Sequence, residues 1–400
     1  MRTRPRARTE PTETPLLFVL AVTPPISPPS PMHRALNLAR QALWLTSPNP
    51  RVGCVITAAD GTLLGEGHTQ RAGGPHAEVM AMRDAAARGH SVQGATAWVT
   101  LEPCAHHGRT GPCCDALAAA GIGRVVSAMT DPNPQVAGQG LARLLAAGVQ
   151  TELLAPSSEE ALQARELNIG FFSRMERRLP WVRMKVAASL DGQTALQNGQ
   201  SQWITGTEAR ADGHAWRARA CAILTGIGTV LEDDPLLNVR GLQAPRQPHL
   251  VVVDSRLDMP LTAKLLGTQG TGEQARQIWI YTATREQADK RAALTARGVT
   301  VIDCPGPGGK VDLAAMLRDL AGREINELHV EAGHKLNGSF IREGLVDEFL
   351  VYLAPQWLGP GQGMAQLPAL TDLGGAVKLA FHAVDRIGAD LRLLLRRQPD

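Results

Sequence analysis

One imidazole and two thiols constrain this chain more than any other feature of its sequence. His76 stands in Pro75-His76-Ala77-Glu78, Cys104 ends Glu102-Pro103-Cys104, and Cys113 follows nine residues later. If the three side chains share one ion, segments this far apart must fold onto one point. One imidazole and two thiolates hold zinc on three sides of a tetrahedron and leave the fourth to water. Bound zinc lowers the pKa of that water from roughly 15.7 to about 7, which makes a hydroxide nucleophile at neutral pH.

Glu78 lies two residues from His76. It can sit beside the metal without binding it and shuttle a proton from the water to a departing amine, as a glutamate does in zinc deaminases of nucleobases. A structural zinc site is the plainer reading, but such sites usually supply four protein ligands and need no adjacent carboxylate. His-x-Glu alone recurs by chance. His-Ala-Glu entering a helical stretch (Val79 to Arg88), then Pro-Cys after the strand-like run Ala97-Trp98-Val99-Thr100, is far more restrictive. The pattern points to removal of an amino group from a pyrimidine-like ring.

Four hundred residues exceed the usual single domain, so two are expected. Four arginines and two glutamates in residues 1–31 carry two of the three net positive charges. The nearly neutral remainder argues against a nucleic-acid-binding surface. Six cysteines in so long a chain make no dense disulfide framework and fit a reducing cytosol. Cys104 and Cys113 go to zinc, Cys114 is a spare neighbour, and Cys54, Cys221 and Cys304 sit in apolar strand-like runs that read as core. Residues 1–31, rich in Pro, Thr and Arg, read as a disordered tail without function. Its apolar run, Leu16 to Val22, is seven residues long, far short of a membrane span. Glu10 and Glu13 precede that run and no clean cleavage pattern follows, which argues against a signal peptide. Met32 opens the first good helical pattern and is a second candidate start.

From Met32 the pattern predicts helix over His33–Leu45, strand over Val52–Ala58, helix over Ala77–Arg88, strand over Thr96–Thr100, helix over Cys114–Ala120 and strand over Arg124–Ala128. Such alternation predicts an α/β layered domain. Cys113 opens its helix, where the partial positive charge favours a thiolate. His106 and His107 in the intervening loop are competing ligands of lesser weight. Glu159 to Arg178 reads as a helical connection, which places the boundary between a unit 32–177 and a unit 178–400. Strands are predicted over Trp181–Ala187, Ala220–Leu224, His249–Val253, Gln277–Tyr281, Val299–Cys304, Glu327–Val330 and Glu348–Leu353, with helices over Glu208–Arg219 and Asp312–Leu320. This is a second α/β domain.

Two glycine patterns there invite a phosphate. Gly226-Ile227-Gly228-Thr229 lacks the third glycine of the dinucleotide fingerprint, and Gly333-His334-Lys335-Leu336-Asn337-Gly338-Ser339 lacks the lysine of a phosphate loop. Both follow strands and open helices, so their N–H groups can cradle an anion. Lys185, Ser189, Asp191, Trp203, Asp233, Asp234, Arg240 and Glu331 accumulate in the same half of the chain, and spacing alone reads them as solvated charges and, for Trp203, a core aromatic.

A resemblance decides between these readings. Pro48-Asn49-Pro50-Arg51-Val52-Gly53, Pro75-His76-Ala77-Glu78, the run from Leu101 to Thr110 and Asp131-Pro132-Asn133-Pro134 resemble the bifunctional riboflavin-biosynthesis deaminase–reductase family. So do Ala188-Ser189-Leu190-Asp191-Gly192, Ser201-Gln202-Trp203-Ile204, Asp233-Asp234-Pro235 and Val330-Glu331-Ala332-Gly333, and the match spans 32–400. The gap from Cys104 to Cys113 departs from the Pro-Cys-x-x-Cys of general nucleobase deaminases but has this family's spacing. The resemblance implies a cytidine-deaminase-like α/β/α domain that hydrolyses the 2-amino group of a diaminopyrimidinone ribosyl phosphate. It implies a dihydrofolate-reductase-like α/β domain that uses NADPH to reduce the ribosyl group to ribityl. Carried over by motif, the substrate meets Ser201, Arg217, Leu237, Arg240 and Glu331. The cofactor meets Ala187, Trp203, Thr229, Asp233, Ser255 and the loop Gly333, His334, Lys335, Leu336, Asn337, Gly338 and Ser339. Arginines suit a sugar phosphate because guanidinium binds its oxygens bidentately. The expected protein is a cytoplasmic homo-oligomer acting on a small molecule, with no nucleic-acid or membrane partner.

Two rivals remain at this point. A single-stranded nucleic-acid deaminase needs a basic groove and stacking aromatics, and aromatics make up only 4% of the chain. A metal-stabilised scaffold has no use for Glu78.

Overall fold

The computed structural model of the chain describes residues 30–105, 111–134, 136–270 and 275–398. Most of the tail, together with His106 and His107, therefore lies outside the described residues. Its last two residues are helical punctuation rather than disordered: Ser30 accepts the His33 N–H at 3.2 Å and Pro31 opens the first helix. That helix, α1 (Pro31–Gln41), buries Met32, Ala35, Leu36 and Ala39, one stripe at helical spacing. It stops short of the expected Leu45, in a turn that leads to Pro48.

β1 (Gly53–Thr57), β2 (Leu63–His68), α2 (Ala77–Ala87), β3 (Thr96–Val99), α3 (Cys113–Ala119), β4 (Arg124–Ser127), α4 (Gln139–Ala146), β5 (Gln150–Leu153), α5 (Glu159–Leu167) and α6 (Ile169–Arg177) follow. The strands form one sheet in the order β2-β1-β3-β4-β5, antiparallel through β2, β1 and β3 and parallel from β3 to β5. α2 lies close on β2 because both surfaces are small. A Cβ on Gly65 would stand 2.3 Å from Ala81 O, and one on Gly67 2.5 Å from Met80 Cβ. This packing fixes the start of α2, and with it His76 and Glu78. The expected helical connection is two helices broken at buried Asn168, whose amide donates to Arg51 O and whose Oδ1 accepts the Arg51 N–H at 2.7 Å.

The second half runs β6 (Trp181–Ser189), β7 (Gln193–Leu196), α7 (Thr207–Arg219), β8 (Ala222–Gly226), α8 (Ile227–Asp233), β9 (His249–Val253), β10 (Ile278–Thr282), α9 (Ala288–Thr295) and β11 (Val299–Asp303). It continues with α10 (Leu313–Gly322), β12 (Glu327–Val330), α11 (His334–Arg342), β13 (Glu348–Ala354), β14 (Gly361–Gly363), β15 (Leu379–Ile387) and β16 (Asp390–Arg397). Its main sheet has the order β11-β10-β9-β8-β12-β6-β13-β16-β15, parallel from β11 to β13 and antiparallel beyond. β7 and β14 pair as a separate ribbon. The hairpin β15–β16 was not foreseen: β15 is largely exposed and its alternation is interrupted between Phe381 and Ala383. Exposed Trp203 also departs from the core reading; it is 67% exposed, with the Arg210 guanidinium 4.5 Å above its ring.

The two halves meet on a buried carboxylate. Glu327 pairs with Arg51 of the first half and with Arg183 and Arg219 of the second. Burial pushes its carboxyl up, but the three guanidinium charges outweigh this and hold it well below the usual carboxylate range. Removing one partner of a buried charge cluster leaves the others uncompensated and costs about 3–5 kcal/mol. Glu327→Ala should therefore lose about 3–5 kcal/mol in urea unfolding. A loss below about 1 kcal/mol would show that the cluster does not hold the halves together.

Candidate functional site

His76 is the residue before α2, Cys113 the first residue of α3, and Cys104 lies on the loop after β3. The three converge. His76 Nδ1 lies 3.3 Å from Cys113 Sγ and 3.6 Å from Cys104 Sγ, and all three donor atoms lie within 4.8 Å of one another. Tetrahedral bonds of about 2.3 Å to sulfur and 2.0–2.1 Å to nitrogen would set a nitrogen and a sulfur about 3.6 Å apart, so the donors present fit zinc. The two thiols share one contact: hydrogen bonding from Cys113 leads in pushing Cys104 well down, and the same contact pushes Cys113 up. A cation between the sulfurs removes the conflict. Cys114 points elsewhere, its Sγ 3.6 Å from Asp115 Oδ1.

Glu78 is buried on the first turn of α2. Burial, then the Cys104 charge, pushes its carboxyl up to about 7. A carboxyl beside three such donors, and not needed as a fourth, is able to carry protons.

The second constellation gathers at the carboxyl ends of adjacent parallel strands, where open α/β sheets bind ligands. Along the order β9-β8-β12-β6, Ser255 follows β9, Gly226 ends β8, Glu331 follows β12, and Ala187 lies near the end of β6. α8 and α11 start here, and neither has a side-chain cap. A Cβ on Gly333 would stand 3.8 Å from Thr229 Oγ1, so the two glycine loops face each other. Uncapped amides on facing loops suit the pyrophosphate of a dinucleotide. His334 to Ser339 form the first turns of α11 rather than an open loop. Asn337 is buried and donates to Met364 O.

Arg217 and Glu331 meet directly, Nη2 on Oε2 at 2.8 Å with Nε on the other oxygen, and Arg217 Nη1 donates to Asn238 O at 3.1 Å. The guanidinium is thus largely engaged within the protein, which the sequence did not show. Buried Leu237 precedes Asn238, exposed Arg240 lies two residues beyond it, and the Arg240 N–H donates to His214 Nδ1. Burial, then the Arg217 and Arg240 charges, pushes His214 down to about 4, so the ring is neutral. Burial also pushes Glu331 up, but Arg217 outweighs it and keeps the group a carboxylate. Lys185, to which sequence reasoning gave no role, follows Met184, the register partner of Val330. Burial lowers its ammonium, opposed by Glu331.

The remaining expected residues fall as follows. Asp233 is exposed at the end of α8, and the Ser255 hydroxyl accepts the Val311 N–H at 3.2 Å. Ser201 and Trp203 lie on the connection between β7 and α7, and neither bonds to the Arg217–Glu331 pair among the described residues.

Comparison with known proteins places a known family on each half of the chain. Residues 29–129 match the cytidine and deoxycytidylate deaminase zinc-binding region, and 180–393 match the RibD C-terminal domain. The riboflavin biosynthesis protein RibD of Escherichia coli is 44% identical over 377 residues, 91% of this chain and 98% of that protein. The structure of Acinetobacter baumannii RibD superposes with a TM-score of 0.82 at 40% identity, over 92% of this chain and 98% of that one. A Thermotoga maritima diaminohydroxyphosphoribosylaminopyrimidine deaminase/5-amino-6-(5-phosphoribosylamino)uracil reductase superposes at 0.79 with 29% identity, over 92% of this chain and 98% of that one.

The donor geometry predicts that Cys104→Ala and Cys113→Ala lose bound zinc in elemental analysis, whereas Cys114→Ala keeps it. Zinc loss from Cys114→Ala with retention in Cys113→Ala would reverse the ligand assignment.

Proposed function

The chain belongs to the RibD family of bifunctional riboflavin-biosynthesis enzymes, and on that premise we propose how its residues divide the work. The enzyme deaminates a diaminopyrimidinone ribosyl phosphate and then reduces the ribosyl group of the product to ribityl with NADPH. Residues 32–177 form the deaminase unit and 178–400 the reductase unit, a division supported by the end of α6 at Arg177 and the start of β6 at Trp181.

His76, Cys104 and Cys113 would hold zinc, which when bound makes a water nucleophilic near neutral pH. Glu78 moves the proton: its carboxylate accepts one from the attacking water and returns it to the departing amine. The observation that carries this reading is the convergence of the three donors with Glu78 buried beside them.

In the reductase unit NADPH supplies a hydride. Gly333 to Ser339, with Thr229, would receive its pyrophosphate at the α11 and α8 N-termini, and Ala187 leaves room for the nicotinamide. Trp203, Asp233 and Ser255 complete the cofactor side. On the substrate side Ser201, Leu237 and Glu331 line the ribosyl group. Arg217 holds Glu331 ionised and in place, and exposed Arg240 takes the phosphate.

We read the protein as a cytoplasmic homo-oligomer. The described cysteines are free thiols, and no helix among the described residues is long and apolar enough to cross a membrane. β15 is an edge strand with Phe381 and Val384 exposed, and exposed Leu370, Leu373 and Val377 precede it. A second copy of the chain covers such an edge most simply across a two-fold axis. Sedimentation should find a dimer or larger; a monomer would contradict this.

Glu78→Gln should keep zinc and lose ammonia release by on the order of 10²-fold or more, yet still oxidise NADPH on already deaminated substrate. Near-normal ammonia release by the zinc-loaded variant would remove Glu78 from its role. Arg240→Ala should raise KM for deaminated substrate by about tenfold or more, the loss of a charged hydrogen bond, with KM for NADPH little changed. A selective rise in KM for NADPH would mean that the cofactor and substrate ends are exchanged.

A further inference from the structure

Cys104 lies outside helix and strand, on the connection between β3 and α3, and a sulfur so placed must be held from outside if it is to stay on a metal. Two residues earlier, Glu102 is buried and its carboxylate accepts four backbone N–H groups: Asp131 at 3.1 Å and Gly138 at 2.9 Å on Oε2, Gly140 at 2.8 Å and Leu141 at 3.2 Å on Oε1. Three of these donors belong to the start of α4, which has no side-chain cap of its own. A Cβ on Gly140 would stand 2.0 Å from Pro103 O, so α4 touches the peptide between Glu102 and Cys104.

The far side of Cys104 is tied to the same helix. Arg143 of α4 donates to Ala105 O at 3.0 Å and grips Asp115 of α3 with two bonds of 2.8 Å. Cys104 is therefore bracketed at residues 102 and 105, and the helix that opens with Cys113 is fastened to the same support.

We propose that Glu102 is a positioning residue for the metal: its carboxylate anchors Pro103-Cys104 to α4 and so fixes the Cys104 sulfur relative to Cys113 and His76. The inference rests on the zinc assignment above. Four backbone donors need two oxygens carrying lone pairs on every side, which a carboxylate has and an amide lacks. Glutamine keeps the shape but turns an NH₂ group toward two of the four donors.

The test compares zinc affinity, by competition with a chromogenic chelator, in the parent, Glu102→Gln and Cys104→Ala, with NADPH oxidation on deaminated substrate and melting of the zinc-free proteins measured alongside. Glu102→Gln is expected to bind zinc about 10- to 100-fold more weakly while its reductase rate stays within about twofold of the parent's. Parent-like zinc affinity in Glu102→Gln overturns the proposal, as does a fall in zinc-free melting with affinity unchanged, which marks a structural role only. If the parent holds zinc no better than Cys104→Ala, the metal assignment itself fails. Should Glu102→Gln not fold, half-exposed Arg143→Ala carries the test, and parent-like zinc affinity there overturns the proposal.

Discussion

The Glu327 carboxylate, shared among Arg51, Arg183 and Arg219, is the interaction on which the rest of the molecule depends. Arg183 also pairs with Glu348, Glu348 with Arg396, and Arg396 with Glu166 on α5. The chain of charges thus leaves the first half at Arg51, crosses the second sheet and returns to the first half at Glu166. Such a chain is costly to desolvate, and its members tolerate burial only while all are present. It therefore fixes one relative placement of the two sheets. Arg51 is further held by the Leu43 and Leu167 carbonyls, so the loop after α1 and the break between α5 and α6 are fixed by the same residue.

β12 links this interface to the proposed reductase site. Glu327 opens the strand against the first half, and Glu331 follows its other end against Arg217. Each carboxylate is kept charged by arginine against the push of burial. The consequence is functional: a short strand clamped at its first residue presents Glu331 on a rigid support, between β6 carrying Lys185 and β8 leading into α8. The deaminase centre uses the same economy. Small residues on β2 let α2 approach, and helix starts deliver His76, Glu78 and Cys113 to one point.

What the sequence disclosed follows from how local each signal is. The cluster of His76, Cys104 and Cys113 with Glu78 was legible because its residues stand in short motifs at helix and strand ends. Most strands were found because they are apolar runs bounded by turns. The reductase residues came from resemblance, since the Gly226 and Gly333 loops depart from standard phosphate motifs. Illegible were contacts between residues far apart in the chain. Arg51 reads as a polar residue in a loop, and nothing near it announces Glu327. Arg217 reads through the resemblance as a substrate contact, and nothing near it announces its pairing with Glu331. The β15–β16 hairpin was missed because an exposed edge carries little hydrophobic pattern, and for Trp203 spacing alone suggested a core aromatic, whereas the ring is exposed.

The measurement that bears most directly on this account is an ordered assay on the zinc-loaded protein. The diaminopyrimidinone ribosyl phosphate is supplied first alone and then with NADPH, and every product is identified by mass. The account predicts ammonia and a deaminated pyrimidine with its ribosyl group intact in the first stage, and the ribityl product only after NADPH is added. Oxidation of NADPH without any deaminated pyrimidine, or a first stage that releases no ammonia, would contradict it.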